Sequence, residues 1–184
     1  MKVVMPILLI FIIRLGGCRR QQTYGSPGEA LLEFPGYLSE ANRDSLQVLA
    51  RREHPLGEVL LYTYGGLRPD EEGLTCVATT FVAEEDERRW RAQSSSKLGC
   101  SEEYPHPETI ALVYTAGGNI TGLATVYGLA PVGETVRVVW QDGLETTAAI
   151  ENGYVLLSRP ETVMPHTIEV LNATGEVIHE QTLP

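Results

Sequence analysis

The chain has 184 residues, of which 43% are hydrophobic, and its acidic residues outnumber its basic ones by ten. This composition is that of a folded globular protein. The negative charge disfavours contact with nucleic acid or anionic lipid headgroups, so no nucleic-acid partner is expected.

The first residues have the pattern of an export signal. Lys2 precedes an apolar run over residues 3–13, which Pro6 interrupts. The run is shorter than the roughly 20 residues that a helix needs to cross a bilayer. A basic start, a short apolar segment and small residues before a cleavage site are typical of a segment that is removed from the mature protein.

The segment Leu15-Gly16-Gly17-Cys18 follows this run. It resembles the lipobox of bacterial lipoprotein precursors, where a leucine and two small residues precede an invariant cysteine. The resemblance implies a signal peptide over residues 1–17, cleavage after Gly17 and a diacylglycerol on the Cys18 sulfur. An ordinary secretory signal or an uncleaved anchor is the alternative, because Arg14 places a charge just ahead of the motif.

The lipoprotein interpretation predicts an extracytoplasmic protein held to the bacterial cell membrane, or to the outer membrane where one exists. The resemblance also allows acylation of the new amino group, and two or more buried acyl chains give a stable anchor. Residues 18–29 are polar and contain Gly and Pro, which predicts a flexible tether with a reach of roughly 15–20 Å. A tether of this length favours a protein or cell-envelope partner that lies in or near the same membrane.

Once Cys18 is assigned to the lipid, two cysteines remain, Cys76 and Cys100. In an exported chain such a pair predicts a disulfide, with two buried free thiols as the alternative. Closing a loop of this length stabilises a fold by roughly 3–3.5 kcal/mol on the chain-entropy model.

Residues 30–105 are predicted to form a β-meander. Residues 39–53 allow a short helix, yet the alternation at 46–50, the turn at 54–57 and the apolar run at 59–64 favour a hairpin. Further strands are predicted at 75–82 and 88–93, which place the cysteine pair as a brace for the sheet.

Residues 106–184 contain seven short segments rich in Val, Ile, Thr, Tyr or Leu, separated by turn signals such as Asn152-Gly153. This rhythm predicts a β-sandwich. It resembles the small immunoglobulin-like modules of secreted bacterial proteins, a likeness that implies a fold and no activity. Whether the two halves share one core is left open. The predicted strands are 109–115, 120–129, 135–140, 146–150, 154–158, 167–171 and 176–182.

Aromatic residues supply the candidate binding surface. Tyr62 and Tyr64 lie on one face of a predicted strand, and Trp90 is expected to approach it. An exposed face of this kind binds sugars or peptides, whereas a buried one is core, which is the favoured interpretation.

No motif for nucleophilic, phosphate-binding, dinucleotide or zinc chemistry is present at its required spacing, so no catalytic residue, metal or cofactor is expected. The leading hypothesis is a non-catalytic envelope lipoprotein that acts as a binding or structural accessory module. A solute-binding lipoprotein with a pocket between the halves is the second, and an envelope hydrolase is the third.

Overall fold

The computed structural model describes residues 23–33, 44–66, 71–86, 89–102, 104, 108–116 and 122–184. The predicted signal peptide and Cys18 lie outside these ranges, and the lipobox stays a prediction. The described chain is mainly antiparallel β-sheet, as predicted, and it has a short helix at a place where none was predicted. Its elements are α1 (Pro27–Leu32), β1 (Gln47–His54), β2 (Gly57–Gly65), β3 (Thr75–Asp86), β4 (Arg89–Ser101), β5 (Ala111–Ala116), β6 (Ala124–Leu129), β7 (Thr135–Trp140), β8 (Glu145–Ala149), β9 (Tyr154–Arg159), β10 (Pro165–Leu171) and β11 (Val177–Thr182).

The first four strands form the predicted β-meander. They lie side by side in chain order, each antiparallel to the next. Residues 47–54 pair with β2 as a hairpin, so the strand interpretation prevails over the helix, and residues 39–43 lie outside the described part. β4 is longer than predicted, which places Ser94, Ser95 and Ser96 inside the strand.

The remaining seven strands form two sheets, in the orders β5-β6-β9 and β11-β10-β7-β8. The chain changes sheet after β6, after β8 and after β9, which is the strand arrangement of an immunoglobulin-like sandwich with β8 beside β7. The predicted mainly β fold with a meander followed by such a sandwich is confirmed. Apolar side chains from both sheets meet in the sandwich interior, among them Val126, Val138, Trp140 and Ile168.

The meander packs on the outer face of the β5-β6-β9 sheet. Along β6, Val126 points into the sandwich interior while Tyr127 packs against the meander. Leu156 and Leu157 of β9 divide between the same two cores. Every residue of β6 is buried, because both faces of its sheet are covered. The two halves therefore share the core that lies between them, and the sandwich has an interior of its own as well.

The helix α1 covers the opposite face of the meander. Ser26 caps its first turn by accepting a hydrogen bond from the Glu29 amide at 3.2 Å, and Pro27 occupies the first helical position. Ala30 and Leu31 are buried against the sheet. Full burial of a leucine contributes roughly 1.5–3 kcal/mol, which holds this short helix in place.

Part of the predicted tether packs against the fold. Tyr24 forms a β-bridge with Trp90, with N···O distances of 2.9 and 2.8 Å in the two directions. The part of the predicted tether from Tyr24 to Glu29 thus lies against the fold and is no flexible coil. Within the residues described, no helix has the length and apolar character that crossing a bilayer requires.

Candidate functional site

The aromatic residues predicted as a binding surface pack beneath α1. Tyr62 is fully buried, and its ring centroid lies 5.9 Å from that of Tyr64. The Tyr62 hydroxyl is within hydrogen-bond distance of Thr80 Oγ1 (3.0 Å) and Ser95 Oγ (3.3 Å). Trp90 packs half-buried against the same cluster. This face is core, as the favoured interpretation of the sequence has it.

The cysteine pair lies in the meander, on directly opposed positions of β3 and β4. Cys76 and Cys100 form a disulfide across the two strands. The Glu71 carboxylate lies beside it and receives a hydrogen bond from Lys97 Nζ at 2.5 Å. Because the two sulfurs are bonded to each other, this group presents no thiolate to a metal ion and acts as a structural brace.

A cleft of about 500 Å³ opens where the edge of the meander meets the sandwich. Ten described residues line it, from β1 and its approach, the ends of β2 and β3, the β8–β9 turn, and Tyr104. They are Ser45, Gln47, Leu49, Thr63, Tyr64, Gly65, Thr75, Tyr104, Asn152 and Tyr154. We refer to this space as the cleft.

The cleft follows from the way that the meander and the sandwich diverge. Val59 and Leu61 of β2 pack on the sandwich, and Thr63 continues the same side of the strand. At Thr63 the apolar contact ends and the lining of the cleft begins. The Ser45 hydroxyl accepts a hydrogen bond from the Gly65 amide at 2.8 Å, which fixes the approach to β1.

The sandwich contributes the tip of a tight hairpin. Asn152 and Gly153 both have positive φ angles, 54° and 82°, and the flanking residues Glu151 and Tyr154 form a β-bridge. This is the two-residue turn that an Asn-Gly pair favours, because asparagine and glycine tolerate the left-handed conformation. The turn places the Asn152 side chain at the rim of the cleft and the buried Tyr154 deeper within it.

Two tyrosines meet in the cleft from different halves of the chain. Burial raises the pKa of the Tyr104 phenol, and burial together with the neighbouring Tyr104 raises the pKa of Tyr154. Both phenols are therefore neutral and able to donate a hydrogen bond at neutral pH. A methyl group added to Gly99 would lie 3.2 Å from the Tyr104 hydroxyl, so this glycine makes room for that ring.

The lining changes from exposed at the rim to buried at the floor. Ser45, Gln47 and Asn152 are exposed, whereas Thr63 and Tyr154 are buried. Among the described lining residues there is no Asp, Glu, Lys, Arg or His. The lining offers hydroxyl, amide and phenol groups together with ring and aliphatic surface. Such a site binds through neutral hydrogen bonds and van der Waals contact.

His54 serves as a connection between the halves. Its Nε2 atom lies 3.0 Å from the Gly122 carbonyl oxygen, and its Nδ1 atom accepts a hydrogen bond from the Leu56 amide at 3.1 Å. The first contact therefore needs the tautomer with a proton on Nε2. The ring also meets Phe81 edge to face, with centroids 5.3 Å apart.

Comparisons with known proteins give no family assignment. No family model matches the chain, and neither a curated protein nor a solved structure matches it.

The sequence analysis considered a pocket between the halves in its second hypothesis, but it did not predict which residues line the cleft. The Asn152-Gly153 turn was predicted as a turn, and Tyr64 was named in the aromatic surface. Gln47, Tyr104 and Tyr154 carry no motif, and they come together only when the meander docks on the sandwich.

Proposed function

We propose that this protein is a non-catalytic bacterial envelope lipoprotein, anchored through Cys18, that binds a small solute in the cleft. The cleft is the observation that carries the proposal. Its volume of about 500 Å³ falls within the range of roughly 300–1,000 Å³ of small-molecule sites. Such sites occur preferentially where two packed units meet. Of the functions considered, the solute-binding one is the best supported.

The docking of Tyr24 on Trp90 supports a close approach to the membrane. Five residues separate Cys18 from Tyr24. A fully extended chain spans at most about 3.3–3.6 Å per residue, so the docked Tyr24 lies within about 20 Å of the lipidated cysteine. Trp90 pairs with Glu84 near one end of the meander, whereas Thr75 of the cleft lies opposite Ser101 at the other end. The lipoprotein would thus hold its cleft at the end of the meander that is farther from the docked Tyr24, open to a protein or cell-envelope partner that receives the solute.

The anchor is tested by metabolic labelling with a radioactive fatty acid in a bacterial host. Wild-type chain should take up label and sediment with membranes, while Cys18→Ser should lose the label and leave the membrane fraction. Gln21→Ser is the matched control, because it makes a similar small change just beyond the lipobox. Retention of Cys18→Ser on membranes would contradict lipid anchoring.

The cleft is tested by thermal unfolding of the mature protein in detergent with a panel of sugars, free amino acids, trialanine and nucleosides. A bound probe raises the unfolding midpoint, since binding to the native state alone stabilises it. Gln47→Trp should abolish the shift by filling the rim with a bulky ring. Thr147→Trp, which is exposed on β8 away from the cleft, should keep it. A midpoint unmoved by every probe would contradict solute binding.

A further inference from the structure

The charge of the cleft restricts its ligand. None of the described lining residues can pair with a carboxylate, a phosphate or an ammonium group by a full charge. The chain as a whole carries a net charge of −10 and repels anions. A charged ligand would lose its hydration in the cleft without gaining an opposite charge, which is costly. The cleft therefore favours an uncharged ligand.

The polar groups of the cleft restrict the ligand further. The side-chain amides of Gln47 and Asn152 each donate and accept hydrogen bonds, and so do the hydroxyls of Thr63 and Thr75. A purely apolar ligand would leave these groups without water or partner, at a cost of about 1–3 kcal/mol for each buried group. The ligand therefore needs several hydrogen-bond donors and acceptors distributed over its surface.

The aromatic rings supply the complementary surface. Tyr104 and Tyr154 line the cleft with phenol rings whose hydroxyls are neutral. An aromatic side chain offers an apolar face and, in tyrosine, a polar tip. A pyranose ring has the matching distribution, with C–H groups on its faces and hydroxyl groups around its rim.

Resting on the proposed function, we propose that the cleft binds an uncharged saccharide of one or two rings. The amides of Gln47 and Asn152 bind its hydroxyl groups at the rim, and the rings of Tyr104 and Tyr154 contact its C–H faces. Ser45, Gln47 and Asn152 are exposed, so the open side admits a sugar that is the end of a longer glycan.

Calorimetric titration of the mature protein tests the ligand class. The probes are maltose, cellobiose and N,N′-diacetylchitobiose, with glucuronate as an anionic sugar and trialanine as a peptide. At least one neutral disaccharide should bind, and glucuronate should not. Asn152→Gly removes the amide at a position whose positive φ suits glycine, so the turn is preserved. This variant and Gln47→Ala should each weaken binding by about threefold to tenfold, the loss expected for one neutral hydrogen bond.

Thr147→Ala is the control for a change outside the cleft and should bind as wild type does. Trialanine binding that Gln47→Trp blocks, without binding of any disaccharide, would overturn the saccharide inference and leave solute binding intact. Disaccharide binding that Gln47→Trp does not affect would place the sugar elsewhere and overturn the inference. Absence of binding by every probe, in calorimetry and in the thermal panel, would overturn both proposals.

Discussion

Arg159 forms a bidentate ion pair with Asp142. The Nη1–Oδ1 distance is 3.0 Å and the Nη2–Oδ2 distance is 2.6 Å. Arg159 ends β9 in one sheet of the sandwich, whereas Asp142 lies in the β7–β8 turn of the other. The guanidinium carbon also lies 5.5 Å from the centroid of the Trp140 ring. Arg159 makes a second ion pair with Glu161. The pair therefore links the two sheets at one end of the sandwich.

The first prediction concerns acid stability. The hydrogen bonds from Arg159 hold the pKa of Asp142 below its ordinary value. A carboxyl group whose pKa is lower in the folded state stabilises the protein above the pKa of the unfolded state, about 3.9, and loses that contribution as the pH falls through the folded value. Asp142→Asn should lower the unfolding midpoint at neutral pH and reduce its decline on acidification, measured by circular dichroism between pH 7 and pH 2.

Glu134→Gln is the control for loss of one carboxylate. An equal acid dependence in Asp142→Asn and wild type would show that the Arg159 contact does not contribute to stability.

The second prediction concerns the disulfide. Replacing Cys76 and Cys100 together by alanine should lower the free energy of unfolding by about 3.5 kcal/mol, because the unfolded chain regains the freedom of a 24-residue loop. Urea unfolding with and without dithiothreitol measures the change. Reductant should destabilise wild type and leave the double variant unaffected. Two alkylatable thiols in the native wild-type protein would contradict the bridge.

The third prediction concerns the contact between the halves. The buried Tyr127 on β6 donates a hydrogen bond to Ser96 Oγ on β4, at 2.7 Å. Tyr127→Phe should lower the free energy of unfolding by about 1–2 kcal/mol, because it leaves the half-buried Ser96 hydroxyl of the meander without this hydrogen bond. Urea unfolding measures the loss. Tyr114→Phe, on the neighbouring strand β5 and half-buried, is the matched control and should cost less.

The same tyrosine predicts an alkaline effect. Burial raises the pKa of Tyr127 above the ordinary value of about 10, against the opposing effect of hydrogen bonds with Ser96 and Thr79. Its contribution to stability is therefore complete below pH 10 and is lost as the pH rises through the folded value. Wild type should lose stability between pH 10 and pH 12 more steeply than Tyr127→Phe does. An identical loss of stability between pH 10 and pH 12 in the two proteins would contradict the raised pKa of Tyr127.

The fifth prediction concerns a close approach of two strands. A methyl group on Gly128 in β6 would lie 2.0 Å from the Ala111 carbonyl oxygen, and the φ angle there is 148°. Gly128→Ala should therefore destabilise the fold by about 2–5 kcal/mol through overpacking and backbone strain. Gly28→Ala in α1 meets no atom within 4 Å and should be neutral or stabilising. Thermal unfolding of both variants compares them, and equal stability would contradict the register of β5 and β6.

The local patterns of the chain predicted most of its strands. All seven strands of the second half lie where alternation and turn residues placed them, because those signals act between neighbours in sequence. The helix α1 was missed even though Ser26 and Pro27 are common helix-start residues. A six-residue helix is too short to be stable alone, and it depends on the burial of Ala30 and Leu31 against the meander.

The sequence by itself determined the strand pattern, the turns and the cysteine pairing, since each depends on residue types at short spacing. The lipid attachment stays a prediction from the sequence. The tertiary structure decided that the meander docks on the outer face of the sandwich and that both halves share a core. It also decided that Tyr62 is core while Tyr104, Tyr154, Gln47 and Asn152 face one cleft. These outcomes depend on which sheet faces pack together, and that choice is made by contacts between residues far apart in the chain.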